Sequence, residues 1–171
     1  MVHLRLGNSG KCACFGLMIE FLFRIVRRFS FAWQMALRGV FRMADKYVAY
    51  VGSYTRGESD GIYILDANVE YAYFKVRDSF KINNPSFLRL SHDEQYLYSN
   101  CDEGVASFKI LPDGGLELMN KASVNGLRPC YLSVDRANRY LLTAGYHDGK
   151  LTVFRLNEDG TIQGVKDEVF M

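Results

Sequence analysis

The constraint that most limits how this chain can fold is a repeat. Residues 84–118 read NPSFLRLSHDEQYLYSNCDEGVASFKILPDGGLEL, and residues 128–165 read RPCYLSVDRANRYLLTAGYHDGKLTVFRLNEDGTIQGV. Pro85 matches Pro129, Phe87 matches Tyr131, Leu88 matches Leu132, and Tyr96-Leu97 matches Tyr140-Leu141, each 44 residues on. Two extra residues around His147 then shift the match to 46, where Phe108 meets Phe154 and Asp113-Gly114 meets Asp159-Gly160. A period of roughly 40–50 residues carrying four short β-like runs is the pattern of propeller blades.

The runs can be placed one by one. The second unit predicts strands at 86–91, 95–100, 105–111 and 116–124, and the third at 130–135, 140–146, 151–157 and 161–169. Between them lie turn clusters such as Pro112-Asp-Gly-Gly and Glu158-Asp-Gly, where glycine supplies the positive φ of a reversal. Ahead of them, 47–55, 60–68 and 71–82 are apolar and aromatic runs bounded by turn residues, closed by Asn83-Asn84-Pro85. The first unit therefore shows three strands, the second, third and fourth of a blade, and the count is three, four, four. An all-β propeller of four-stranded antiparallel blades follows, about two and three-quarter blades in length. Propellers close into a ring of about four to eight blades, so the chain is expected to be the N-terminal portion of a longer protein. An open stack of this kind should be marginal or prone to aggregate, because each blade buries its faces on its neighbours.

Composition agrees with a globular β protein: 49% hydrophobic, 23% charged and 14% aromatic. The net charge of +2 divides unevenly. Residues 1–43 hold seven Lys/Arg against the single acid Glu20, whereas residues 44–171 hold fourteen against eighteen. The repeat region thus carries no basic stripe, which argues against nucleic acid as a partner. The leader, 1–43, is apolar but interrupted by Glu20, Arg24, Arg27, Arg28 and Arg38, so no uncharged run approaches the ~18 residues of a transmembrane helix, and a membrane partner is not expected. Nor does it have the clean core and small-residue cleavage site of a secretory signal. It reads either as an over-extended start before Met43-Ala-Asp-Lys or as an amphipathic helix, with the propeller portion spanning 44–171.

Cys12, Cys14, Cys101 and Cys130 make neither a CxxC pair nor a zinc spacing, and no His/carboxylate cluster has metal-ligand spacing. No metal or cofactor is expected, and reduced thiols point to the cytoplasm.

The quoted segments resemble the lactonase family of seven-bladed β-propellers. The similarity runs in order through YVGSYT…GIYIL, NPSFLRLS…YLYS, GVASFKILPDGGLELMN and RPCYLSVD…RYLLTAGYHDGKLTVFRLNEDG, covering Tyr47 to about Val169. It implies hydrolysis of a small sugar lactone, 6-phospho-D-glucono-1,5-lactone to 6-phosphogluconate in the pentose phosphate route, while a lactonising cycloisomerase in the same fold family is an alternative. A non-catalytic propeller binding a ligand or protein at its channel is the rival from another class. The chain departs from the family's pattern where Tyr131 stands in place of a His and Gly145 in place of an Asn. The Pro-His segment of the family's fourth blade falls beyond Met171, so chemistry that depends on it is not expected of this polypeptide.

Lactone hydrolysis needs an acid–base group, donors for the developing oxyanion and cations for anionic substituents. His147, in the insertion after a strand, and Arg128, at the start of an innermost strand, are the candidate catalytic groups. Tyr146, Asp148, Arg56 and Tyr54 are the candidate substrate-binding groups. Each has a plainer reading, as a solvated loop His or a surface Arg on local carbonyls. His92, in Ser91-His92-Asp93, belongs to a turn between strands and not to a hydrolase triad. The glycines Gly114, Gly115, Gly149 and Gly160 precede no helix and are hairpin glycines, not a phosphate loop.

Overall fold

A computed structural model of the chain describes residues 21–24, 46–68 and 71–171. They form three four-stranded antiparallel sheets. The first contains β1 (Phe21–Arg24), β2 (Lys46–Gly52), β3 (Gly61–Asn68) and β4 (Tyr73–Lys81). The second contains β5 (Leu88–Leu90), β6 (Tyr96–Cys101), β7 (Gly104–Ile110) and β8 (Leu116–Ala122). The third contains β9 (Tyr131–Val134), β10 (Tyr140–Ala144), β11 (Lys150–Leu156) and β12 (Ile162–Phe170). Strand order within each sheet follows the chain, so each is an up-and-down blade with its first strand at one edge.

The expected three-strand first unit is corrected. Phe21–Arg24 pairs antiparallel with β2, Phe21 opposite Val51 and Arg24 opposite Val48, in the first-strand position. The pairing meets backbone donors and acceptors that would otherwise lie bare along the edge of β2. For these four residues the helical expectation for the leader does not hold. The remainder of the leader, and its proposed boundary at residue 43, lie outside the described residues.

Blades stack face to face through alternating side chains. Tyr50, Ile62 and Ile64 of the first blade meet Leu97, Ala106, Phe108 and Ile110 of the second, with Phe80 edge-on to Phe108 at 5.1 Å between ring centroids. From its other face the second blade presents Tyr98 and Val105 to Leu132, Leu141, Phe154 and Leu156 of the third. Both faces of the second blade are thus buried. The far face of the third blade leaves Leu142 and Leu151 exposed.

The third-to-fourth strand pairings carry the same irregularity in every blade. The register shifts at Ile64/Leu65, Ser107/Phe108 and Val153/Phe154, where the bulge increases the local twist of the outer strands.

Antiparallel order sorts the connections into two ends. Links between the second and third strands, and links from one blade to the next, fall at one end, the loop end. Links between first and second strands, and the hairpins between third and fourth, fall at the other, the turn end. At the turn end, Tyr50 Oη donates to Gly114 O at 2.8 Å and Tyr98 Oη donates to Gly160 O at 3.0 Å, each tying one blade to the next blade's hairpin. Ser107 Oγ adds a second donor to Gly160 O at 2.7 Å. The Asp-Gly of each hairpin is therefore an inter-blade fitting as well as a turn. At Gly160, with φ +82°, a Cβ would lie 2.4 Å from the Tyr96 ring.

Candidate functional site

All six candidate residues fall at the loop end. Tyr54 and Arg56 follow β2, Tyr146, His147 and Asp148 follow β10, and Arg128 lies in the link between β8 and β9. His92 is at the turn end, where its backbone N–H donates to Asn138 Oδ1 at 2.7 Å and its Nε2 lies 3.2 Å from Val134 O. It holds the second and third blades together, in keeping with the turn reading.

Two groups form at the loop end. In the first, the Arg128 guanidinium lies 5.2 Å and that of Arg56 6.0 Å from the centroid of the Tyr54 ring, within cation–π range. Arg128 Nη1 also donates to Asp102 Oδ1 at 3.1 Å. Both oxygens of Asp102 accept from Asn84 Nδ2, each at 2.9 Å. Asn84 Oδ1 in turn accepts from the Thr55 backbone N–H at 3.0 Å, and the Asn84 N–H donates to Thr55 Oγ1 at 3.2 Å. Thr55 is covalently next to Tyr54, so the path Tyr54–Thr55–Asn84–Asp102–Arg128–Tyr54 closes on itself across three blades. Asn84 holds a left-handed φ of +52° to take part. That conformation is uncommon for a side chain other than Gly, and Asn is among the residues that tolerate it best.

The second group is built on the insertion. Tyr146 is 83% exposed and its ring meets His147 edge-on at 5.4 Å. Asp148 turns inward: its Oδ2 accepts from the Leu127 N–H at 3.1 Å and its Oδ1 from the Lys150 N–H at 3.3 Å. The Asp148 carboxylate is thereby spent on backbone, one residue from Arg128. This explains Gly145, since a Cβ there would sit 2.2 Å from Asp148 Oδ1. Tyr131 is likewise used for packing, edge-on to Phe87 with 4.7 Å between ring centroids.

Lys150, 4% exposed, lies beneath this loop. Its Nζ donates to Val124 O at 2.5 Å and Asn125 O at 3.2 Å, and pairs with Glu168 Oε1 at 2.7 Å. These bonds secure the link that carries Arg128. Asn100, fully buried near the end of β6, holds the same link from the second blade: its Oδ1 accepts from the Phe87 N–H, and its Nδ2 donates to Ser86 Oγ and Pro129 O.

Of the candidates, Tyr54, Arg56 and Arg128 are brought together, while Asp102, Asn84 and Thr55, which join them, were not singled out because they read as ordinary turn formers. A signal was available. Counting back from β7 and β11 at the 46-residue offset sets Asp102 opposite Asp148. Among the described residues no group of three His, Cys, Asp or Glu is placed to hold a metal, and no helix is long and apolar enough to cross a membrane.

Stacked four-stranded antiparallel blades, with candidate polar groups gathered at the loop end, define a propeller-type protein. Residues 48–171 match the model of the lactonase, 7-bladed beta-propeller, and the chain belongs to that family. It is 37% identical over 129 residues to a 6-phosphogluconolactonase of Bacillus subtilis, an alignment covering 72% of this chain and 37% of that one. With a 6-phosphogluconolactonase of Formosa agariphila the identity is 32% over 71% of the chain and 36% of the relative. Among solved structures, a Bacteroides fragilis protein provisionally called a 6-phosphogluconolactonase superposes with a TM-score of 0.71 at 29% identity, over 78% of this chain and 38% of that one. A periplasmic gluconolactonase of Pseudomonas aeruginosa superposes at 0.67 with 25% identity, over 72% and 38%. The chain therefore spans a little over a third of the length of these relatives.

Proposed function

We propose that this chain carries part of the substrate-binding end of a sugar-lactone hydrolase, acting on 6-phospho-D-glucono-1,5-lactone or a close analogue. The observation that carries the reading is the convergence of two guanidinium groups on one Tyr ring at the loop end. A family of lactonases needs cations for an anionic sugar acid, and planar guanidinium groups suit paired anionic oxygens. In hydrolysis, water adds to the C1 carbonyl, the carbonyl oxygen takes on negative charge, and the ring C–O bond then breaks to give the open-chain acid. Arg128 and Arg56 are suited to hold the phosphate or the developing carboxylate. His147, exposed beside Tyr146, is suited to take the proton of the attacking water. The role of Asp148 is to hold the loop through Leu127 and Lys150 and not to touch substrate.

A second reading, a propeller that binds a sugar acid without turning it over, is favoured by two observations. Tyr131 stands where the family's pattern has a His and packs its ring against Phe87, and the Asp148 carboxylate accepts from the Leu127 and Lys150 N–H groups. Neither position therefore supplies the His or free carboxylate an acid–base role would use. The free thiols Cys101 and Cys130 support a reducing compartment, and hence a cytoplasmic setting.

The test is lactone loss above the spontaneous rate, for the 171-residue chain and for the same chain extended to the length of its relatives. Turnover that falls at least about tenfold with Arg128→Ala, a cost of about 1.4 kcal/mol in transition-state stabilisation, supports the hydrolase. Binding of 6-phosphogluconate without turnover in either form supports the second reading.

A further inference from the structure

We propose that Asp102 is a positioning residue that fixes the Arg128 guanidinium to receive an anionic oxygen pair, working through the closed path of Thr55, Asn84 and Tyr54. The inference rests on the reading that Arg128 meets the anionic group, and adds how it is aimed. An arginine side chain has five N–H donors in a fixed fork. Arg128 spends one of them on Asp102, and among the described residues no other acceptor takes the rest. One edge is anchored, one face lies against the Tyr54 ring, and the remaining donors are left for a ligand.

The anchor is itself anchored. Asp102 is about half exposed, so an ion pair with Arg128 alone would be worth little and would hold no fixed geometry. The two bonds from Asn84 Nδ2 fix the plane of the carboxylate, and Thr55 fixes Asn84 from both its N–H and its hydroxyl. The guanidinium is thus oriented by residues of the first and second blades before any ligand arrives, which lowers the ordering cost of binding. Asp148, in the matching position of the next repeat, binds only backbone. The side-chain circuit is therefore a property of this site and not of every blade.

The experiment is titration of the 15N-labelled 171-residue chain with 6-phosphogluconate and, separately, inorganic phosphate, against sodium chloride at equal ionic strength, following the arginine side-chain signals. Wild-type protein is expected to bind both anions with a shift of the Arg128 signal, and Arg128→Lys to weaken binding. Asp102→Asn, which reverses the polarity of one oxygen facing Asn84, should weaken binding about tenfold and broaden the Arg128 signal, while Asp102→Glu restores most of the affinity. Should Asp102→Asn fail to fold, Asn84→Gly tolerates the φ of +52° and removes only the amide; about threefold weaker binding is then expected. Weakening by Arg128→Lys without any effect of Asp102→Asn or Asn84→Gly would overturn the positioning role alone. No binding, binding abolished equally by chloride, or no effect of Arg128→Lys would overturn the anion-site reading beneath it.

Discussion

The two ends of the blade stack are tied together by different chemistry. At the turn end, neighbouring blades are joined by neutral hydrogen bonds inside the stack, Tyr50 to Gly114 and Tyr98 to Gly160. Burial, reinforced by the nearby Asp93, Tyr96 and Asp159, pushes the Tyr98 hydroxyl well above the usual tyrosine range, so it remains a donor at every physiological pH. At the loop end, beside the buried bond of Asn100 Nδ2 to Pro129 O, the blades are joined by partly exposed charged and amide side chains, of which Arg128 keeps donors unspent. Buried, fully used bonds specify how blades pack, whereas partly used polar groups facing solvent are what a ligand can employ. On the proposed reading, stability rests chiefly with the turn end and recognition with the loop end.

Substitutions at the turn end should therefore cost stability and leave anion binding intact in the folded protein. The largest loss is expected from Gly160→Ala. It combines a left-handed φ with a clash against the Tyr96 ring, and should cost about 3–4 kcal/mol in urea unfolding. Tyr50→Phe and Tyr98→Phe should cost about 1–2 kcal/mol each. Tyr98→Phe should be the milder, because Ser107 Oγ still donates to Gly160 O, and the two melts side by side check this. A reversed order would show that the Gly160 carbonyl does not depend on Ser107.

Acid should loosen the turn end through Asp135. Burial works to raise its pKa, but N–H donors from Tyr140, Arg139 and Ala137 outweigh it and hold the carboxyl below the usual range. Its contribution is therefore present above the ordinary aspartate pKa and is lost as pH falls through the lower, folded value. The pH dependence of unfolding below about pH 4 should flatten in Asp135→Asn.

Thiol labelling provides a finer probe. Burial, with Glu103 beside it, pushes the Cys101 thiol up to about 11, whereas Cys130 is exposed. Iodoacetamide at pH 8 should label Cys130 in the native protein and Cys101 only on unfolding, as read by peptide mass. The smallest effect is expected on the far face of the third blade. Leu142→Lys should change unfolding free energy by about 0.5 kcal/mol or less and reduce self-association in sedimentation.

Most of the architecture could be read from the residues. The strands of the second and third blades fall within a residue or two of the runs bounded by Pro, Asn and Gly, because turn chemistry and a two-residue period mark strands locally. The first strand of the first blade was not legible: its partner β2 lies over twenty residues away, across the basic leader. Tyr50 and Tyr98 resembled ordinary core aromatics, since nothing local reveals that a hydroxyl will reach the next blade's hairpin. In the site, Arg128, Arg56 and Tyr54 stood out as cation and ring near turns. Asp102 and Asn84 did not, because their roles depend on a contact between blades and a turn explains each of them locally.

The most direct test is the backbone chemical-shift map of the chain titrated with 6-phosphogluconate. Perturbations confined to Tyr54, Thr55, Asn84, Asp102, Arg128 and the 146–148 loop, with the His92, Asn138 and Gly160 signals unmoved, are the expected result. Perturbations centred on the turn end, or spread evenly over both ends, would contradict the division of labour between them.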